Sequence, residues 1–214
     1  YLLFHGLSPY SGISKKILHQ VKGFEACGHR VSLCTYSIAD NGHRVRMINN
    51  EIIEDYGTGK PAAAKRRVSY QCIYRYAITH QVELIYVRSF HNANPFTIRL
   101  FSKLRKAGIK IAMEIPTYPY DSEYAGFPLV TRLGIQVDKV FRKTLAKHVN
   151  AIVTFSDYHC IFGQRTIQIS NGVDFDSIPL KKTVSKNTSV IHLLGVAEIH
   201  YWHGYDRLIE GLGK

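Results

Sequence analysis

The sequence predicts an α/β protein whose core is a doubly wound parallel sheet, with helices covering both faces. The first observation is that short apolar runs alternate with longer stretches in which apolar residues recur every three or four positions. The second is that each helical stretch is long enough to cross over between neighbouring parallel strands in the right-handed sense. The third is composition. Hydrophobic residues make up 45% of the chain, and no apolar run approaches the roughly 18 residues of a bilayer-spanning helix.

The predicted elements follow in order from the first residue. Residues 1–4 are apolar enough for a buried first strand, and an amphipathic helix follows and ends at Gly28. Asn94 and Pro95 are a good N-cap and first-turn pair for a helix that runs to Lys106. Further helices are predicted over residues 60–80 and 130–145, and further strands over residues 30–36, 43–48, 83–88, 110–115, 151–156 and 166–170.

Two of these elements carry an additional expectation about burial. In the strand at 43–48 alternate residues are basic, which places it near an edge of the sheet. In the helix at 130–145 apolar residues recur at helical spacing, so the face of the helix that they form is expected to be buried. Its members are Val130, Leu133, Val137, Val140, Phe141 and Leu145.

The chain is predicted to contain one domain and the beginning of another. Residues 1–174 hold the alternating strands and helices. Residues 175–189 show no periodicity and are predicted to be a linker. Residues 190–214 start a second strand–helix unit.

Cysteine and histidine usage favours a cytoplasmic protein without a metal. The four cysteines are scattered and form no C-x-x-C pair, which favours reduced thiols over disulfides or a zinc site. The eleven histidines show no metal-binding spacing.

Charge is the strongest compositional signal. The net charge is +12, and the isoelectric point is near 9.6. Residues 60–110 contain eleven lysines and arginines and a single acid, Glu83, a local net charge of +10. Such a field attracts nucleic acid, anionic lipid headgroups or phosphorylated substrates, and charge alone does not choose among them.

Ligands of open parallel sheets bind outside the carboxyl ends of the strands, so residues there are the candidates for a site. Ser11 and Gly12 stand where the first loop turns into a helix, where backbone N–H groups can hold an oxyanion or phosphate. The alternative is a tight turn that needs one glycine. Arg88 ends its strand, where it can bind an anion or form a salt bridge to a carboxylate such as Glu114.

The loop after the strand at 110–115 combines acids with tyrosines. Carboxylates accept hydrogen bonds from sugar hydroxyls, and aromatic rings stack on the apolar faces of sugars, so this loop is a candidate sugar site. The alternative is a solvated loop whose tyrosines pack over the sheet. The residues concerned are Glu114, Tyr118, Tyr120, Asp121, Glu123 and Tyr124.

Two short motifs are set aside. Residues 56–60, YGTGK, imitate the end of a Walker A loop, but the earlier glycine is absent and Pro61 replaces the Ser or Thr. Asp174 and Asp176 form an Asp-x-Asp pair of the kind that holds a divalent cation on a nucleotide diphosphate, yet such a pair also opens ordinary turns. We therefore expect no metal and no cofactor.

Several stretches, taken in order, resemble the group 1 (family 4) retaining glycosyltransferases of GT-B fold. The closest similarity is to bacterial enzymes that build capsular, exopolysaccharide or O-antigen chains, and it covers the whole chain. Residues 11–36 are similar to the opening βα unit of these enzymes, and residues 111–124 are similar to a loop of this subgroup. Residues 151–158 and 169–174 are similar to their last strands before the linker, and residues 202–212 are similar to the first helix of their second domain.

The resemblance implies a Rossmann-like acceptor-side domain followed by a truncated nucleotide-sugar domain. It implies sugar transfer from a nucleotide sugar to a lipid-linked or growing polysaccharide, by an enzyme at the inner face of the membrane. Catalytic residues are expected beyond Lys214. The implied acceptor-binding residues are Arg88, Glu114, Tyr118, Tyr120, Asp121 and Glu123. The implied donor-facing residues are Ser11, Gly12, Asn171, Gly172 and His203.

The sequence departs from the family pattern at two places. Many members bind the donor diphosphate through an Arg and a Lys, and Glu198 and His203 stand at those positions here. His203 can still donate a hydrogen bond to the donor. The His often found after the fourth strand is replaced by Tyr86 or Arg88.

The alternative function is a basic nucleic-acid-binding or regulatory α/β module that uses residues 60–110. The basic residues lie mostly on helix flanks and no recognised binding motif is present, so sugar transfer is the leading hypothesis.

Three expectations accompany the leading hypothesis. Residues 60–110 hold the protein to anionic lipid, where a polyprenyl-linked acceptor resides. The apolar residues at 190–196 lack covering helices, so this tail is expected to self-associate. The chain alone is expected to bind UDP or GDP weakly and to lack transferase turnover, because the resemblance assigns the nucleotide pocket to the second domain.

Overall fold

The computed structural model describes residues 1–89, 91–121, 129–172, 174, 177–179, 193–195 and 204–213, without the side chains of residues 130 and 131. The chain divides into two compact units, Tyr1–Val173 and Asp174–Lys214, and each is described by itself.

The first unit contains both helices and strands. Its helices are α1 (Gly12–Ala26), α2 (Gly59–Val68), α3 (Gln71–Thr79), α4 (Pro95–Lys106) and α5 (Leu129–Ala146). Its strands are β1 (Cys34–Ile38), β2 (Arg44–Ile48), β3 (Glu51–Asp55), β4 (Leu84–Arg88), β5 (Lys110–Ile115), β6 (Ala151–Thr154), β7 (Cys160–Ile161) and β8 (Gln164–Gln168). Helices and strands alternate one by one only from α3 to β6, whereas β1, β2 and β3 follow one another along the chain.

The strands form two sheets. The larger has the order β4-β5-β6-β8-β7, in which β4, β5, β6 and β8 are parallel and β7 is antiparallel to β8. The smaller is the antiparallel sheet β1-β2-β3. Asn49 and Asn50 link β2 to β3 with positive φ angles of 48° and 71°, as a two-residue hairpin turn requires. The predicted α/β class is therefore confirmed, but the sheet is parallel only in part.

The first residues of the chain join the two sheets. Leu2 forms parallel bridges with Cys34 of β1 and with Val87 of β4. The Leu2 N–H donates to the Tyr86 carbonyl at 2.8 Å, and the Cys34 N–H donates to the Tyr1 carbonyl at 2.8 Å. This segment therefore lies between β1 and β4, where it takes the place of the predicted first strand.

The core lies between the sheets and a layer of helices. Phe101 and Leu104 of α4 and Ile111 of β5 are all fully buried within it. Burying one such side chain contributes about 1.5–3 kcal/mol. α4 packs against α2, α3 and α5, so these four helices form one layer.

The prediction that the strand at 43–48 lies near an edge is wrong. β2 is the central strand of its sheet because residues 51–55, for which no strand is predicted, form β3. Three of those five residues are acidic, which hides the strand pattern. Arg46 of β2 is 1% exposed, and its guanidinium donates to the Leu3 carbonyl at 2.7 Å. The alternating basic pattern thus conceals a buried arginine.

Two helices, α2 and α3, replace the single helix predicted over residues 60–80. The chain is extended at Ser69, with φ −101° and ψ 107°. Tyr70 holds this corner. Its buried ring packs edge-on against Phe4 at a centroid distance of 5.4 Å, and its hydroxyl donates to the Arg67 carbonyl at 2.7 Å. Neither glycine nor proline marks the corner, so local sequence signals do not reveal it.

The prediction for α5 is correct as to helix but wrong as to most of the buried face. The side chain of Val130 lies outside the described residues. Leu133, Val137 and Val140 are exposed, whereas Leu145 is buried and Phe141 packs against the core. The cause is Asp138, which is 2% exposed and accepts two hydrogen bonds at 2.9 and 3.0 Å inside the unit. Turning this carboxylate inward rotates the apolar residues on the opposite side toward solvent.

The second unit contains the predicted terminal helix, α6 (Tyr205–Leu212). The strand predicted to precede it lies mostly outside the described residues, and residues 193–195 are not in a strand. The predicted domain boundaries and the self-association of this tail therefore stay predictions. Within the described segments, no helix combines the length and hydropathy needed to cross a membrane.

The N-cap of α4 gives a stability prediction. Asn94 Oδ1 accepts hydrogen bonds from the Phe96 N–H at 2.9 Å and the Thr97 N–H at 3.1 Å. Asn94→Ala should therefore lower the free energy of unfolding in urea by about 1 kcal/mol. Thr58, the N-cap of α2, makes no side-chain cap bond, so Thr58→Ala is the matched control and should change stability little. Equal losses in the two variants would contradict the assigned role of Asn94.

Candidate functional site

A cleft of about 600 Å³ opens at the carboxyl ends of residues 1–4, which we call the first segment, and of β4 and β5. The first segment lies between β1, which follows it along the chain, and β4, so the strand order reverses at this point. Ligands of α/β sheets bind at such a reversal of strand order. The polar lining comes from three loops and from α1, and it includes His5, Ser11, Lys16, Arg88 and Tyr120.

Serine side chains hold the loop that leads into α1. Ser11 is the N-cap residue, and its hydroxyl accepts from the Ser14 N–H at 3.4 Å. Ser14 Oγ in turn accepts from the Ser8 N–H at 2.9 Å. The loop therefore closes over the first turn of α1, whose partial positive charge faces the cleft.

The glycine that this loop requires is Gly6 rather than Gly12. A Cβ atom on Gly6 would lie 2.7 Å from the Tyr36 carbonyl oxygen, whereas a Cβ atom on Gly12 would meet nothing within 4 Å. There is therefore space for a side chain at Gly12, at the start of α1. Gly6 is the residue at which the turn lies too close to the Tyr36 carbonyl for a side chain.

An ion pair buried beneath the cleft links Arg88 to Glu114. The two residues are register partners on the parallel strands β4 and β5. Glu114 is fully buried, and the Arg88 guanidinium donates to its Oε1. Its Oε2 accepts from the Tyr86 hydroxyl at 2.6 Å and from the Gln20 amide at 2.8 Å. The Gln20 amide oxygen accepts from the Tyr1 hydroxyl at 2.6 Å. A fully bonded carboxylate thus ties together two strands, α1 and the first residue.

Burial keeps the phenols of this network neutral. It raises the pKa of Tyr86 well above its ordinary value, and the adjacent Glu114 charge raises it further. The pKa of Tyr1 is raised for the same two reasons. A tyrosine hydroxyl is protonated at neutral pH in any case, and the raised pKa values keep both hydroxyls hydrogen-bond donors at alkaline pH as well.

Lys16 brings a second cation to the cleft. Its Nζ donates to Asn171 Oδ1 at 2.8 Å, lies 3.6 Å from the centre of the Phe155 ring, and is 4.0 Å from Glu114 Oε1. Partial burial lowers the pKa of Lys16, and the Glu114 charge opposes that effect. A half-buried ammonium group is more weakly hydrated than an exposed one, so it binds an anion more readily.

The tyrosines of the loop after β5 separate into two surroundings. Tyr120 reaches the cleft, where its ring lies 4.8 Å from that of His91 and its hydroxyl donates to Asp138 at 3.0 Å. Tyr118 packs edge-on against Tyr158 and Phe162 at centroid distances of 4.9 and 5.5 Å. Burial raises the pKa of Tyr120.

The Asp121 carboxylate is paired with basic residues of α5. Arg142 donates two hydrogen bonds to its carboxylate at 2.7 and 3.1 Å, and Lys139 lies 3.5 Å away. The hydrogen bond from Arg142 is the main cause that lowers the pKa of Asp121. The carboxylate therefore fastens the loop to α5.

The structure brings some of the predicted site residues together and separates others. Ser11, Gly12, Arg88 and Tyr120 line the cleft, with Glu114 bonded to Arg88 beneath it. Asn171 is joined to the cleft through Lys16, and Gly172, which follows it, is exposed. Tyr118 and Asp121 do not belong to the cleft lining as described. Glu123 and His203 lie outside the described residues. The ligand-binding roles themselves stay predictions.

Sequence reasoning missed Lys16, Gln20, His5 and His91. The first two lie on α1 at positions that a helix places on one side, four residues apart, and that side faces the Glu114 carboxylate. Their polar spacing was the available signal. The two histidines carry no motif, and only the folded chain shows that both line the cleft.

The arrangement can bind an anion that also carries hydroxyl groups. Lys16 and the positive end of α1 favour a phosphate or carboxylate, and the serine and tyrosine hydroxyls and the imidazoles can exchange hydrogen bonds with a polyol. Across the described segments, no group of three His, Cys, Asp or Glu residues is placed to hold a metal ion.

Comparisons of the chain with protein-family models, with curated proteins and with solved structures gave no match in any of the three.

The buried ion pair should be far more important for stability than the surface one. Glu114→Gln removes the counter-charge of a buried arginine and should cost about 3–5 kcal/mol of unfolding free energy, measured in urea. Asp121→Asn removes the counter-charge of Arg142 at a 39% exposed carboxylate and should cost no more than about 1 kcal/mol. Similar losses in the two variants would show that the Glu114 network is not the dominant constraint.

The cleft histidines predict a pH dependence of stability. Burial lowers the pKa of His5 and of His91, so both resist protonation in the folded protein. Because the unfolded chain takes up these protons near its pKa of about 6.5, stability should be unaffected above that pH and should fall below it. Replacing both histidines by Gln should flatten the fall in unfolding free energy between about pH 7 and 5.5. His19→Gln, on the exposed side of α1, is the control and should leave the slope unchanged.

Proposed function

We propose that this chain is the acceptor-side part of a retaining glycosyltransferase, with a Rossmann-like, doubly wound core as in one half of a GT-B fold. The reaction is transfer of a sugar from a nucleotide-sugar donor to a lipid-linked or growing polysaccharide acceptor. The family assignment rests on the resemblance of residues 11–36, 111–124, 151–158, 169–174 and 202–212. Independent physical support comes from the cleft.

The observation that carries the proposal is the position and chemistry of the cleft. Its volume of about 600 Å³ lies within the roughly 300–1,000 Å³ range of small-molecule sites. It lies at the carboxyl ends of parallel strands and is lined by Lys16 and by Arg88, whose charge is balanced by the buried Glu114 carboxylate. A sugar attached to a phosphate has both properties that this lining matches, a negative charge and several hydroxyl groups.

The proposed roles follow from the contacts. Lys16 and the start of α1 hold the phosphate of the acceptor, in place of the sequence expectation that Ser11 and Gly12 face the donor. Lys16 Nζ lies 4.0 Å from Glu114 Oε1, so it is less engaged by this carboxylate than Arg88 is. Arg88 is bonded to Glu114, so the pair is neutral and Arg88 contributes shape to the cleft wall rather than a free binding group. His5 and Tyr120 contact the sugar, with His5 neutral because burial lowers its pKa.

The proposed location is the cytoplasmic face of the membrane, as a peripheral protein. Residues 60–110 carry a net charge of +10, in which the buried Arg88 is included, and they contain nearly all of α2 and the whole of α3 and α4. A polybasic surface gains about 1 kcal/mol per Lys or Arg close to an anionic membrane, and salt weakens this attraction. A nucleic-acid-binding module would use the same charge, and the experiment below separates the two.

A binding experiment with a short, water-soluble isoprenyl phosphate tests the cleft. Its addition should shift the amide resonances of residues 5–14 and 88–93 in the ¹⁵N-labelled protein. Lys16→Ala should weaken binding about tenfold or more, since a charge-assisted hydrogen bond is lost. Lys15→Ala is the matched control, an exposed lysine of α1 that is not part of the cleft, and it should bind as the wild type does.

Two results would overturn the proposal. One is binding of the phosphate probe with the shifts confined to other surfaces. The other is stabilisation by a short DNA duplex at moderate salt without any response to the phosphate probe, which would favour the nucleic-acid-binding function.

A further inference from the structure

α5 exposes a stripe of apolar side chains. Leu129, Leu133, Val137 and Val140 are 70%, 59%, 45% and 71% exposed. They recur every three or four residues, so they lie on one side of the helix and extend over about 17 Å of its axis. We call these four residues the α5 stripe. An isolated exposed leucine is ordinary, but a continuous stripe of this length is typical of an interaction surface.

The stripe is held outward by contacts on the opposite side of α5. Asp138 accepts hydrogen bonds from the Ala93 N–H at 2.9 Å and the Tyr120 hydroxyl at 3.0 Å. Ile135 and Leu145 are buried on the same side. Turning the stripe inward would break both hydrogen bonds and expose these side chains, so its exposure is a stable property of the fold.

Positive charge lies along one edge of the α5 stripe. Arg132 and Lys143 are exposed along one of its edges, and the only acid on α5 is the buried Asp138. The neighbouring helix α4 ends in Lys103, Arg105 and Lys106, and the Arg105 guanidinium donates to the Lys147 carbonyl just after α5 at 2.7 Å. The basic end of α4 and the end of α5 are therefore in contact.

The partner must fit both the apolar α5 stripe and the basic residues along its edge. Nucleic acid would use the charge but gain nothing from four exposed aliphatic side chains. A second copy of the chain would bring its own net charge of +12 against the same basic surface. A bilayer that contains anionic lipid offers both a hydrocarbon boundary for the stripe and negative headgroups for its basic edge.

We propose that α5 lies flat on an anionic membrane and inserts the α5 stripe into the acyl boundary. This inference rests on the membrane association proposed above, and it names the part of the surface that enters the lipid. The basic residues of α2–α4 supply the long-range attraction, and the stripe supplies a component of binding that salt does not screen.

Vesicle co-sedimentation separates the two components. The wild-type protein should bind vesicles that contain phosphatidylglycerol and should keep a measurable fraction of that binding in high salt. The double variant L133Q/V140Q should lose about tenfold or more of the partition coefficient, because two partly inserted side chains no longer enter hydrocarbon. Leu18→Gln is the matched control, since Leu18 on α1 is 46% exposed outside the stripe, and it should bind as the wild type does.

Fluorescence quenching reports insertion directly. In a Trp202→Phe background, a Val137→Trp variant should be quenched by lipids brominated on the acyl chain, whereas a Leu18→Trp variant should not. Thermal unfolding of each variant in the absence of lipid should match its parent, which excludes misfolding as the cause of lost binding.

Each outcome decides the inference. Unchanged binding of L133Q/V140Q, or absent quenching at position 137, would overturn insertion by α5 while leaving the proposed membrane association intact. No binding of the wild type to anionic vesicles would overturn both. Equal binding of the wild type to vesicles of pure phosphatidylcholine and to vesicles that contain phosphatidylglycerol would show that the basic residues beside the stripe do not contribute to binding. Concentration-dependent dimers that L133Q/V140Q abolishes would instead assign the stripe to a second copy of this chain.

Discussion

The buried carboxylate of Glu114 is the constraint on which the geometry of the first unit depends. A charge with no exposed surface is tolerated only when its bonds are complete, and Arg88, Tyr86 and Gln20 complete them. These partners come from a neighbouring strand and from α1. One side chain therefore sets how α1 lies against the sheet, and with it where the first turn of α1 and Lys16 meet the cleft.

Local signals predicted those elements whose limits are set locally. The cap at Asn94 marks the start of α4, and the strand predicted at 110–115 matches β5 residue for residue. The break between α2 and α3 and the rotation of α5 were not predictable in this way. Tyr70 and Asp138 decide them through partners that are distant in sequence, such as Phe4 and Ala93.

The position of the candidate site was predictable from the sequence, but the ion pairs and hydrogen bonds among its residues were not. The rule that ligands bind beyond the carboxyl ends of strands directs attention to Ser11 and Arg88, and both residues line the cleft. It does not show that Arg88 is already engaged by a buried acid, because burial depends on α1. Lys16 escaped notice for the same reason, since a lysine in the second turn of a surface helix looks solvated until the helix is docked on the sheet.

The position of the first segment has a consequence for synthesis on the ribosome. Leu2 is bonded on one edge to β1 and on the other to β4, whose residues are made more than eighty residues later. Until β4 emerges, Leu2, Leu3 and Phe4 have no complete sheet to enter, although all three are buried in the finished unit. Closure of this core therefore waits for a long-range pairing. Nascent chains that stop short of β4 will display this apolar segment to chaperones.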